Sequence, residues 1–203
     1  MLIIGICGAS GSGKTTLAEE LASTVKHPPV LLRQDTYYRN YSHLDFEERR
    51  KLNYDEPSIF DHDAMYQDLC DLCAGKPVPR REYDFAAHCV APSSGWISPA
   101  EVIIIEGIHS FYDARIREMM DFKLFVKVDP DICLLRRMQR DIRDRGRDVD
   151  DISRQYLDTV KPMYEQYIRG YADYADAIIS HGGKNQKIVD ILGHYINTRL
   201  IEA

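Results

Sequence analysis

The run Gly8-Ala9-Ser10-Gly11-Ser12-Gly13-Lys14-Thr15, followed by Thr16, has the residue types and spacing of a Walker A loop. Glycines let a backbone turn tightly and aim its N–H groups at a phosphate. A loop that then opens a helix adds the positive end of the helix dipole. In such a loop Lys14 reaches the β- and γ-phosphates of a nucleotide, and Thr15 offers a hydroxyl to Mg²⁺. An incidental glycine-rich turn is the bland alternative, but a buried strand before the loop and an amphipathic helix after it supply the context that phosphate binding requires.

Two carboxylates stand where they could complete a phosphoryl transfer. Asp35 closes a short apolar run in Gln34-Asp-Thr-Tyr-Tyr38 and could accept a hydroxyl proton as the phosphoryl group moves; otherwise it caps a turn. Glu106 follows Val102-Ile-Ile-Ile105, and a carboxylate at the end of so apolar a strand needs a cation, either Mg²⁺ or a nearby arginine. The segment from Arg136 to Arg147 holds six arginines against two aspartates in a chain whose net charge is −6. A solvated helix face is the usual meaning of such a run. The imbalance, with Arg136, Arg140 and Arg143 on one side and Gly146 allowing a turn, favours a lid over residues 136–148 that closes cations on the phosphates.

Aromatic side chains lie beside carboxylates in Asn53-Tyr-Asp-Glu-Pro57 and in Glu82-Tyr-Asp-Phe-Ala-Ala-His88. That pairing suits a sugar diol next to a flat base, although either stretch alone could be a packed turn. Neither a guanine-reading N-K-x-D motif nor a usable D-x-x-G is present: Asp190-Ile-Leu-Gly193 lies beyond the last strand, where no γ-phosphate contact is expected.

The elements that must carry these groups read as one α/β domain over residues 1–203, with a five-stranded parallel sheet flanked by helices. Strands are expected at Leu2–Cys7, Val30–Leu32, Val102–Ile105, Leu124–Val128 and Ala177–Ser180, each ending in polar or glycine residues. Helices are expected from about 13 to 25, from Asp63 to Ala74, from Pro130 to about Arg145 and from Asp151 to about Tyr171. Residues 78–98, rich in Pro, Ser and aromatics, read as a β-hairpin or irregular flap of the kind that carries substrate specificity.

Composition, at 44% apolar and 29% charged residues, is that of a soluble globular domain. The acidic balance argues against a general nucleic-acid or membrane-surface binder, and no apolar run reaches the roughly 20 residues that a membrane span needs. No signal peptide is recognisable at the start, so a cytoplasmic address is expected. The five cysteines are irregularly spaced, and Cys70 and Cys73, one turn apart late in a helical pattern, read as core thiols rather than as a redox or zinc pair.

Taken together these segments resemble the uridine/cytidine kinase family of P-loop kinases: GASGSGKTT at 8–16, QDTYY at 34–38, NYDEP at 53–57, YDFAAH at 83–88, IIEGI at 104–108, RRMQRDIRDRGRD at 136–148, VKPMYEQY at 160–167 and YADAII at 174–179. The resemblance implies transfer of the γ-phosphate of ATP, with GTP an alternative donor, to the 5′-hydroxyl of uridine or cytidine with Mg²⁺. It implies Asp35 as general base, with Lys14 and the lid arginines Arg140 and Arg145 at the phosphates, and Thr15 and Glu106 at the metal. Asp55, Arg137 and Gln155 match positions that hold the ribose or orient the nucleoside. Tyr38, Tyr54, Tyr83, Phe85, His88 and Arg147 match the base pocket, with His88 and Arg147 at the pyrimidine's exocyclic edge. It also implies a homo-oligomer, a tetramer or a dimer.

The chain departs from the family pattern at Val90, where an arginine is usual, and at Ser180-His181, where a proline-arginine pair is usual. The segment Cys89 to Ser98 also fits it poorly. Two rivals are set against this reading. A kinase of another small alcohol, phosphoribulokinase-like or acting on another riboside, gives no reason for the aromatic clusters if its acceptor lacks a base. A nucleotide sensor without an acceptor leaves Asp35 unexplained.

Overall fold

The computed structural model describes residues 1–202. Its centre is a parallel sheet in the order β2-β7-β1-β8-β9, formed by β1 (Leu2–Gly8), β2 (Val30–Arg33), β7 (Val102–Gly107), β8 (Phe122–Lys127) and β9 (Ala177–Ser180). Every residue of β1 and β7 is buried, as strands covered on both faces must be. Register is fixed by Ile4 opposite Ile104 on one side and Phe122 on the other.

Alternation along the strands sends side chains into two cores. Ile3, Ile103, Ile105 and Phe125 pack on one face with Met65, Leu69 and Leu72 of α3 (His62–Cys73). Ile4, Ile6, Ile104 and Leu124 pack on the other with Leu17 and Leu21 of α1 (Lys14–Thr24) and with Val189 and Ile196 of α8 (Gln186–Glu202). The five strands and the α/β class match the expectation from the sequence. Because the chain leaves β1 toward β2 by one crossover and reaches β8 on the opposite side, a crevice opens beyond the carboxyl ends of the central strands.

The remaining helices are α2 (Phe46–Arg50), α4 (Ala114–Glu118), α5 (Pro130–Arg145), α6 (Val149–Gln155) and α7 (Lys161–Gln166). The single helix expected from Asp151 to about Tyr171 is instead α6, a π-turn over Tyr156–Val160, α7, and a 3₁₀ stretch over Ile168–Tyr174. Pro162 is the physical reason: it has no N–H to give to an i−4 carbonyl and its ring crowds that carbonyl, so the preceding turn widens. The N–H of Lys161 reaches back to the carbonyl of Tyr156.

Residues 78–98 form one interrupted hairpin. Its root pairs β3 (Val78–Pro79) with β6 (Trp96–Ile97), and its tip pairs β4 (Glu82–Asp84) with β5 (Cys89–Ala91). Arg80 and Arg81 lie opposite the four residues Pro92 to Gly95, so the pairing shifts by two residues between root and tip. The reading of Cys70 and Cys73 as core thiols is corrected: Leu69 and Leu72 take the core face of α3, leaving Cys70 half-buried and Cys73 exposed. Asp190 and Gly193 lie within α8, where Asp190 accepts a hydrogen bond from Gln186 and Gly193 sits against Thr24.

Candidate active site

The crevice at the carboxyl edge is a cleft of about 790 Å³. On its floor the loop after β1 turns into α1 through Gly13, whose φ of 93° belongs to the left-handed region that favours glycine. A Cβ at Gly11 would lie 2.3 Å from the carbonyl oxygen of Cys133, so the loop seats against the start of α5 only with glycine there. Ser10, Lys14 and Thr15 line the cleft, while Gly8 at the end of β1, Ala9, Gly11, Ser12 and Gly13 of the turn, and Thr16 in α1 do not. Ala9 borders a small second cavity of about 30 Å³ beneath α5, and Ser10 borders both.

The hydroxyl of Thr15 donates to Glu106 Oε1 at 3.1 Å. Burial at the end of β7 pushes the Glu106 carboxyl above the usual range, opposed by the charge of Lys14 and assisted by that of Asp35. A buried carboxylate that resists ionisation, joined to the loop hydroxyl, suits a divalent cation, which would restore the charged form. Among the described residues no cluster of three or more His, Cys, Asp or Glu side chains could hold a metal alone. A cation held at Thr15 and Glu106 would need further oxygen ligands from outside the protein.

Asp35 sits in the 3₁₀ turn Gln34–Thr36 directly after β2 and lines the cleft. The turn is held at both flanks. Gln34 is buried and accepts the backbone N–H of His109 at 2.8 Å. The Tyr37 hydroxyl donates to the buried Asp68 at 3.0 Å. Asp68 also receives Arg81 at 2.6 Å, so one carboxylate on α3 ties the Asp35 turn to the hairpin.

Asp55 and Arg137 form a buried ion pair at 3.2 Å through Asp55 Oδ1. Asp55 Oδ2 is buried with no partner, although both residues border the cleft. Arg137 and Arg147 both donate to the amide oxygen of Gln155, the first at 3.0 Å.

The aromatic residues form one wall. The ring of Tyr38 stacks on Phe60 at 4.5 Å and approaches Tyr83 at 4.7 Å and Tyr54 at 5.3 Å. His88 lies 4.9 Å from Tyr54, and Phe85 lies 5.3 Å from Tyr83 beneath the Arg145 guanidinium at 4.6 Å. His88 takes φ 50° at the hairpin tip, where Asp84 accepts the N–H groups of Ala86 and Ala87. Burial lowers the His88 pKa, and the charges of Arg147, Arg145, Arg50 and Arg49 lower it further, so the ring is neutral near pH 7.

The arginine segment closes the opposite side. Arg140 and Arg145 line the cleft, and Arg147 forks onto Asp151 at 2.7 and 2.9 Å. Asp35, Tyr38, Tyr54, Asp55, Tyr83, Phe85, His88, Glu106, Arg137, Arg140, Arg145, Arg147 and Gln155 thus border one cleft, whereas Arg136 does not line it and Arg143 is exposed and paired with Asp144. Val90 lies opposite Tyr83 in the hairpin and is partly exposed, while His181 follows β9 at φ 67°.

Sequence reasoning missed Asp141, which has no exposed surface and lies within 3.8 Å of Arg137, Arg140, Arg145 and Arg147. An aspartate with arginines at i−4, i−1 and i+4 was the available signal. It also missed Gln34, His109 and the cleft face of α2, where Phe46 and Arg50 contribute. The position of α2 follows from Arg49, which donates to the carbonyl of Ala87 at 3.2 Å.

A parallel sheet with this strand order and a glycine loop feeding α1 defines a P-loop kinase. Residues 3–188 match the model of the phosphoribulokinase/uridine kinase family, and the chain belongs to that family. A uridine kinase of Proteus mirabilis (strain HI4320) is 45% identical over 195 residues, covering 94% of this chain and 92% of that protein. A uridine kinase of Bacillus licheniformis is 42% identical over 200 residues, covering 98% and 95%. The solved structure of a possible uridine kinase from Bacillus stearothermophilus shares the fold, with a TM-score of 0.59 at 19% identity over 88% of each chain.

Proposed function

We propose that this kinase transfers the γ-phosphoryl group of ATP, or of GTP, to the 5′-hydroxyl of uridine or cytidine in the presence of Mg²⁺, giving UMP or CMP. The observation that carries the acceptor is Asp55. One of its oxygens is fixed by Arg137 and the other is buried without a partner at the cleft, beside an aromatic wall. An unsatisfied carboxylate oxygen is costly unless a ligand donates to it, and a ribose hydroxyl next to a base that stacks on Tyr38, Tyr54 and Tyr83 answers both features. The names of the Proteus and Bacillus relatives support the same acceptor.

In this reading the P-loop backbone and Lys14 hold the donor's phosphates. Asp35 accepts the proton of the 5′-hydroxyl while the new O–P bond forms, the bond to the bridging oxygen breaks, and the nucleoside diphosphate leaves. Arg140 and Arg145 stabilise the charge spread over the transferring group, and Arg145 does so from the ring of Phe85. Thr15 and Glu106 would hold Mg²⁺, which would supply positive charge to the transferring phosphate. Neutral His88 offers one N–H and one lone pair, which suits a pyrimidine edge that carries both acceptors and donors.

The test is a panel of nucleosides and sugar phosphates incubated with ATP and Mg²⁺ and scored for ADP and phosphorylated product. Turnover of uridine or cytidine above all other acceptors is expected. Activity confined to a non-nucleoside acceptor would sink the reading.

A further inference from the structure

We propose that His109 is a positioning residue for the acceptor: its ring fixes the backbone that carries Asp55, and its main chain fixes the turn that carries Asp35. The ring is 1% exposed and makes two hydrogen bonds, Nε2 with the carbonyl oxygen of Asp55 at 2.7 Å and Nδ1 with the Tyr171 hydroxyl at 2.9 Å. A carbonyl can only accept, so Nε2 carries the proton. Nδ1 then has a lone pair, and the Tyr171 hydroxyl must be its donor. Phe60, Tyr112, Tyr167 and Tyr171 enclose the ring edge-on at about 6 Å, which removes rotational freedom. The backbone N–H of the same residue donates to Gln34, the neighbour of Asp35.

One residue just beyond the end of β7 therefore touches both loops that bring a carboxylate to the acceptor, without itself lining the cleft. The bland alternative is a core histidine that is merely satisfied. It does not account for a ring whose protonated nitrogen is spent on the main chain of Asp55, whose side chain has an open oxygen. Misplacing Asp55 by a fraction of an ångström would leave donor binding intact and harm the acceptor alone. The proposal rests on the reading of Asp55 as the sugar-hydroxyl residue.

The experiment measures kcat and KM for donor and acceptor in wild type, His109→Leu, His109→Gln, Tyr171→Phe and Asp55→Asn. Uridine is compared with analogues lacking the 2′- or the 3′-hydroxyl. In His109→Leu the uridine KM should rise roughly tenfold or more, the ATP KM should stay put, and the preference for the intact ribose should shrink. His109→Gln, which keeps an N–H donor, should recover part of the loss. Tyr171→Phe should move the same quantities less, and it keeps the test alive if His109→Leu does not fold. Nitrogen NMR of wild type should show Nε2 protonated and Nδ1 bare at neutral pH.

Equal losses for both substrates, or an unchanged ribose preference in His109→Leu and Tyr171→Phe while Asp55→Asn loses it, overturns the role of His109. An unchanged ribose preference in Asp55→Asn removes the reading of Asp55 and the proposal with it.

Discussion

Asp141 forms an ion pair with Arg145 at 3.3 Å from inside α5, and none of the aspartate's surface is exposed. Three more arginines, Arg137, Arg140 and Arg147, lie within 3.8 Å of the same carboxylate. Burial and the repulsion of Arg140 depress the Arg145 pKa, and Asp141 counters them. The carboxylate therefore does more than pair with one partner: it neutralises a cluster that would otherwise push itself apart.

Asp141→Asn removes the carboxylate that Arg137, Arg140, Arg145 and Arg147 share. Arg137 keeps Asp55 and Arg147 keeps Asp151, so the burden falls on the partly exposed Arg140 and Arg145, and the cost approaches but does not exceed the roughly 3–5 kcal/mol of a fully buried pair broken from one side. A loss of that order is expected in denaturant unfolding. Added ATP should restore more stability to the variant than to wild type, since the donor's phosphates supply the missing negative charge. Equal stabilisation of both proteins would show that Arg140 and Arg145 do not face the donor.

Asp35 tests the chemistry separately from binding. Its turn is anchored through Gln34 and Tyr37, so Asp35→Asn should keep its geometry. A general base contributes roughly 10²- to 10⁴-fold, and a fall of that size in kcat is expected with the ATP dissociation constant little changed. Equal turnover would remove Asp35 from the proton-accepting role.

The parts of this site that were legible in the sequence are those set by local pattern. The glycine loop, the β-branched run ending at Glu106 and the aromatic residues near Asp55 and His88 announce themselves because strand, turn and phosphate loop each impose a short spacing. Asp141 could have been read from the arginines at i−4, i−1 and i+4 on its own helix, and only Arg147 reaches it from the loop beyond α5. His109 was hidden because its partners, Gln34, Asp55 and Tyr171, are 54 to 75 residues away. The break in the helix after Gln155 could have been read from Pro162, whose missing donor is a local fact. The placement of α2 could not, since Arg49 finds Ala87 only once the hairpin has folded.

Acid should weaken the fold through its buried histidines. Burial lowers the pKa of His109 from 6.5 to about 4 and also depresses His62 and His88. A depressed folded pKa means that the unfolded chain takes the proton first. The stability these groups contribute is complete above pH 6.5 and is lost as pH falls through the folded values. For His109 the gap corresponds to roughly 3 kcal/mol. Unfolding free energy measured from pH 7.5 down to 4 should fall along this window, and His109→Gln should flatten it. A profile in His109→Gln parallel to that of wild type would show that the ring is not held neutral.

Glu106 makes a prediction of the opposite sign. Its pKa is raised by burial, so the ionised carboxylate works against the fold when no cation is present. Glu106→Gln keeps the shape and an acceptor for the Thr15 hydroxyl while removing that charge. In chelator-treated protein near pH 7 the variant should therefore melt at or above the wild-type temperature. With Mg²⁺ and ATP the order should reverse, because only the carboxylate gains from the cation. The Mg²⁺ concentration for half-maximal turnover should rise on the order of ten- to a hundredfold. A variant whose Mg²⁺ dependence matched that of wild type would assign Glu106 to the Thr15 contact alone and leave the cation to Thr15, phosphate and water.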